Sequence, residues 1–102
     1  MLEHPLITKT RILLRPISRA RSGKRITFFF TDKGIKGVPG DNKKDIIARY
    51  LQRNGVDAIN NGTEIVIRDS KGKCGKIEMN QALITLTERF NDGKLPELVT
   101  TR

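Results

Sequence analysis

The side chains able to carry acid–base or nucleophilic chemistry are few and widely spaced. His4 and Cys74 are the one histidine and the one cysteine of the chain, and a general base must reach its partner directly or through one water. Nothing in the spacing joins them. His4 falls in a stretch expected to be a loose N-terminal end, and Cys74 at the turn into a final strand, beside Lys73 and Lys76. No Cys/His group has the spacing of a zinc site. Glu64, Asp69 and Glu78 fall on one expected hairpin, but Arg68, Lys71 and Lys76 stand among them, which points to surface pairing rather than carboxylates converging on catalytic metal ions. The glycine-bearing run DKGIKGVPGDNKK matches neither GxxxxGK[ST] nor GxGxxG, so no phosphate-cradling loop is expected. The chemistry expected is therefore not that of an enzyme, and no cofactor or metal is called for.

Positive charge is what the chain has in abundance. It holds 20 Lys and Arg against 11 Asp and Glu, a formal net charge of +9. The charge is polarised. Residues 1–40 carry nine bases (Lys9, Arg11, Arg15, Arg19, Arg21, Lys24, Arg25, Lys33 and Lys36) against two acids, Glu3 and Asp32, with no acid between those two. Such a run attracts a polyanion, and guanidinium forks grip phosphate oxygens in pairs.

The elements that would position these residues follow from residue type and period. Runs 11–17, RILLRPI, and 25–31, RITFFFT, are rich in β-branched, Leu and Phe residues and flank a polar, glycine-containing segment, so they read as a β-hairpin with a basic loop. Pro16 lacks a ladder donor and puts the first strand at a sheet edge. Alternation then places Phe28 and Phe30 with Ile26 on one face, expected to be core, and Phe29 on the other. Phe29 is a candidate for base stacking or a partner interface, with burial under loops or the N-terminal arm the preferred reading. Residues 43–54, KKDIIARYLQRN, place Ile46, Ile47, Tyr50 and Leu51 at helical spacing, with Asp41 or Asn42 as cap and Gly55 as stop. Lys43, Lys44, Arg49 and Arg53 fall away from that stripe. A short strand, a second hairpin over residues 63–79 and a helix capped by Asn80 follow, with Leu83, Leu86 and Phe90 as its buried stripe.

The expected fold is thus one α+β domain over residues 1–102, in the order β-β-α-β-β-β-α: a small antiparallel sheet built from two hairpins with two helices on one face. Residues 1–8 and 94–102 are expected as flexible ends. The lone cysteine excludes an internal disulfide, no apolar run approaches the ~20 residues of a membrane helix, and the N-terminus lacks the pattern of a secretory signal, so a cytoplasmic address without membrane contact is expected.

From Asn42 to Asp92, about half of the chain, the order helix, three strands, helix and the run RNGVDAINNGTEIVIRDSKGKCGKIEM resemble the double-stranded-RNA-binding-type fold of HicA-type mRNA-cleaving toxins. The histidine those toxins carry after the small residues of the second strand has no counterpart at Gly62-Thr63-Glu64, so the resemblance implies no cleavage activity. The lysine cluster expected of true double-stranded-RNA-binding domains at the start of the second helix is likewise missing from Asn80-Gln81-Ala82-Leu83.

The function expected is non-catalytic nucleic-acid binding, DNA or RNA, through a basic hairpin arm over residues 9–25. The candidate contacts are Arg11, Arg15, Arg19, Arg21, Lys24, Arg25, Lys33, Lys36, Lys43, Lys44, Arg49 and Arg53. The alternative is a protein-interaction module, such as a phage- or plasmid-type regulator or inhibitor, whose basic face docks on an acidic protein. A homodimer through the edge strand bearing Pro16 is a further expectation.

Overall fold

The computed structural model describes residues 4–19 and 23–100. Its elements run α1 (Pro5–Ser18), α2 (Gly23–Asp32), α3 (Ile46–Arg53), β1 (Asp57–Asn60), β2 (Glu64–Asp69), β3 (Gly72–Glu78) and α4 (Gln81–Asn91), followed by a short 3₁₀ turn, Pro96–Leu98. The class is α+β, with four helices and a three-stranded antiparallel sheet in the order β1-β2-β3.

The N-terminal third corrects the expected hairpin: residues 11–17 and 25–31 lie in α1 and α2. A short apolar run fits a strand and a buried helix face equally well, and here the 3.6-residue period wins. Ile7, Thr10, Leu14 and Ile17 are buried along one side of α1. His4 caps that helix, its Nδ1 accepting from the Leu6 N–H at 3.1 Å, and Pro5 takes the first turn, where a missing N–H costs nothing. Pro16 is accommodated in the last turn of α1, so no edge strand exists there for a dimer to extend.

Glycine gives α2 its end. The Ile35 N–H bonds the Phe30 carbonyl at 3.0 Å and the Gly34 N–H bonds that of Thr31 at 3.1 Å, with Gly34 at φ +69°. This is the Schellman arrangement, which needs a left-handed residue after the cap and buries an apolar one next. Ile35 is that buried residue.

The order helix, three strands, helix expected between residues 42 and 92 is the one found. Asp45, rather than Asp41 or Asn42, caps α3 by accepting from the Ala48 N–H at 2.7 Å, and Asn80 caps α4 by accepting from the Leu83 N–H at 3.0 Å. In register, Ile67 faces Ala58 and Gly75, and Ile65 faces Asn60 and Ile77, so these residues make the inner face of the sheet. The helices pack on that face. Gly75 is where α1 comes closest: a Cβ there would stand 2.9 Å from Ile7 Cδ1. Asp57, Glu64, Arg68 and Lys76 lie on the opposite face and pair there, Arg68 with Asp57 at 3.3 Å and Lys76 with Glu64 at 2.9 Å.

A polar triad is sealed inside. Asn60 Nδ2 donates to Asp45 Oδ2 at 2.6 Å and to Thr87 Oγ1 at 3.0 Å, tying α3, β1 and α4 together. The segment expected as a frayed tail is docked as far as residue 100: Leu95 and Leu98 are buried, and the Gly37 N–H and carbonyl bond Leu98 and Thr100 at 2.8 and 2.9 Å.

Candidate nucleic-acid interface

Helix α2 turns one side inward and one side out. Phe30 is fully buried and Phe29 half-buried, their rings edge-on to each other and to Tyr50 at centroid distances of 5.3 to 5.8 Å. A helix rotates each successive side chain by about 100°, which carries Phe28 to the outside, where it is 69% exposed. The exposed ring is therefore Phe28, which strand alternation had placed in the core, while Phe29 is partly covered. Lys33 Nζ sits 4.3 Å from the centre of the Phe29 ring, a cation–π contact that further covers it.

Bases surround this exposed side. Lys24 and Arg25 stand one turn before Phe28, at i−4 and i−3. A depression of about 360 Å³ is lined by Lys24, Arg25, Phe28, Phe29, Asp32 and Lys33. A second, about 520 Å³, lies between α2 and the segment after α4, where Lys24 and Phe28 meet Arg89, Lys94 and one acid, Glu97. A third, about 280 Å³, opens between the end of α1 and α2, where Arg19 and Arg25 flank Ile26 and Phe29. The surface thus alternates cation and aromatic ring around one helix. Arg89 and Lys94 were not among the residues singled out from sequence, since only the folding of α4 and the tail against α2 brings them there.

The other candidates form separate groups. Arg11 and Arg15 are exposed one turn apart on α1. Arg53 donates to the carbonyls of Lys33 and Gly34 at 3.5 and 3.4 Å, and Arg49 to that of Lys36 at 3.4 Å. These guanidinium groups lie on the C-terminal end of α2 and the loop after it, where a cation is favoured by the helix dipole. Lys43 and Lys44 are exposed in the turn before α3, at the opposite end of that helix from Arg53. Arg21 lies outside the described residues. Among the described residues no single hairpin arm gathers the candidates: Arg19, Lys24, Arg25 and Lys33 lie at or near α2, Arg11 and Arg15 on α1, Lys36 in the loop after α2, and Lys43, Lys44, Arg49 and Arg53 on or just before α3.

No protein family, curated protein or solved structure matches this chain.

Of the groups weighed for chemistry, Glu64 is engaged by Lys76, whose ammonium pKa is raised by that hydrogen bond and charge pairing. Burial and the nearby Asp69 carboxylate push the Cys74 thiol above its usual value, which makes it a poor nucleophile at neutral pH. His4 is held by a backbone donor on one nitrogen and approaches Asp69 with the other, at 3.5 Å. Burial raises the Asp45 carboxyl to about 6. It is buried and held by the Ala48 N–H and the Asn60 amide.

Proposed function

We propose that the protein binds nucleic acid without catalysing a reaction on it, gripping the phosphate backbone along α2 and stacking a base on Phe28. The observation that carries this reading is the exposed Phe28 ring set among Lys24, Arg25, Arg89 and Lys94. Exposed aromatics cost free energy in water, and one beside these four cations and two acids, Asp32 and Glu97, keeps a net positive surround that matches the two features every single-stranded nucleic acid offers, a charged backbone and an apolar base face. The polarised charge of residues 1–40 supplies the long-range attraction. Two departures from the sequence reading follow: the grip is helical, and the stacking ring is Phe28.

Fluorescence anisotropy with labelled single-stranded DNA, duplex DNA and structured RNA across a salt series tests this. With about four to six phosphates contacted, the logarithm of affinity falls against that of salt with a slope of roughly −3 to −5, and single strands bind tightest. Equal, weak binding to all three would redirect attention to an acidic protein docking on the same face.

A further inference from the structure

The structure brings together three metal-ligating side chains that the sequence holds far apart. His4 precedes α1, Asp69 ends β2 and Cys74 lies within β3, yet one ligand atom from each lies within 4.8 Å of the other two. His4 Nε2 and Asp69 Oδ2 are 3.5 Å apart. A tetrahedral zinc, with bonds of about 2.0–2.2 Å to nitrogen and oxygen and about 2.3 Å to sulfur, spaces its ligand atoms roughly 3.3–3.7 Å apart. The imidazole–carboxylate spacing already meets that requirement, and the Cys74 sulfur lies within 4.8 Å of both ligand atoms.

The strand is built irregularly at this point. Ile67 pairs with Gly75 and Arg68 with Lys73, so Cys74 stands between them with no residue opposite. A bulge of this kind re-aims a side chain that regular alternation would send elsewhere. The Cys74 thiol, half-buried, donates to the Ile67 carbonyl at 3.4 Å.

We propose that His4, Asp69 and Cys74 form a site for a borderline-soft divalent cation of the zinc class, with solvent as the fourth ligand. The donor set selects the class: a thiolate and an imidazole favour zinc or cobalt over magnesium and calcium, which take oxygen ligands. One thiolate and one carboxylate balance the two charges of the ion. On binding, the thiol proton leaves to solvent. Coordination through His4 Nε2 moves the ring proton to Nδ1, which then ceases to accept from the Leu6 N–H. The site therefore couples metal occupancy to the cap of α1, the helix that carries Arg11 and Arg15.

Cobalt(II) titration of the reduced, full chain tests the proposal. One equivalent is expected to give a thiolate-to-cobalt charge-transfer band with the visible bands of tetrahedral cobalt, bleached by zinc. Cys74→Ser removes the charge-transfer band. His4→Asn, which keeps an N-cap side chain but removes the imidazole, and Asp69→Asn each weaken cobalt binding at least about tenfold, with circular dichroism showing each variant folded. No charge-transfer band at stoichiometric cobalt overturns the proposal, as does a band equally strong in His4→Asn or Asp69→Asn, which would mean binding by the thiol alone.

Discussion

Tyr50 donates a 2.7 Å hydrogen bond to the carbonyl oxygen of Leu13, joining the middle of α3 to the middle of α1 across 37 positions of sequence. The phenol reaches out of the apolar stripe of α3, and its ring forms one side of the cluster with Phe29 and Phe30. Burial raises its pKa above the ordinary value of a phenol, so it is a donor at neutral pH. Removing the hydroxyl leaves the ring packing intact. Tyr50→Phe is expected to lower stability by about 1 kcal/mol, the net worth of one such bond, measured by urea unfolding.

The contact of α1 with the sheet is tested by a pair of small changes. Gly75→Ala places a methyl 2.9 Å from Ile7 Cδ1, and overpacking of this size costs about 1–3 kcal/mol. Ile7→Val removes that Cδ1. In a double-mutant cycle the two changes are expected to compensate, the double variant being more stable than the sum of the single effects implies by at least ~0.5 kcal/mol. Additive effects would place α1 away from β3.

The buried triad gives the protein a pH dependence. The Asp45 carboxyl, raised to about 6 from 3.8, binds its proton more tightly folded than unfolded. The stability it contributes is fully present below the unfolded value and is lost as pH rises through about 6. Between pH 7 and pH 5 the folded state should gain about 1 kcal/mol from this group. Asp45→Ala abolishes that gain and lowers stability at pH 5 by about 2–3 kcal/mol, because the α3 cap is lost and Asn60 loses a buried partner.

The sequence was informative where two signals agreed. Helix α4 carries a cap at Asn80, an apolar stripe and a terminal Gly93, and the chain from Asp57 to Glu78 alternates with period 2. Both were readable. The N-terminal third misled because β-branched and aromatic residues favour strands while tertiary packing rewards their helical period. A readable sign was nevertheless present: Lys33-Gly34-Ile35 has the same pattern as Asn54-Gly55-Val56, a glycine after the helix followed by a buried apolar residue. The proposed interface was legible as charge but not as shape. Lys24 and Arg25 fall in the basic run, whereas Arg89 and Lys94 join them only through the docking of Leu95 and Leu98. The grouping of His4, Asp69 and Cys74 left no trace in spacing, since each belongs to a different element.

The central claim, that the α2 face holds nucleic acid, is tested most directly by comparing Phe28→Ala and Lys24→Ala with Lys71→Ala in single-stranded DNA binding at one salt concentration. Lys71 is exposed at the β2–β3 turn and lines neither depression beside Phe28, and its replacement removes the same charge as that of Lys24. The account predicts that Phe28→Ala weakens binding by about 1–3 kcal/mol without loss of stability, that Lys24→Ala weakens it and reduces the salt slope by about one, and that Lys71→Ala does neither. Equal, small losses for both lysines, with Phe28→Ala unchanged, would contradict it.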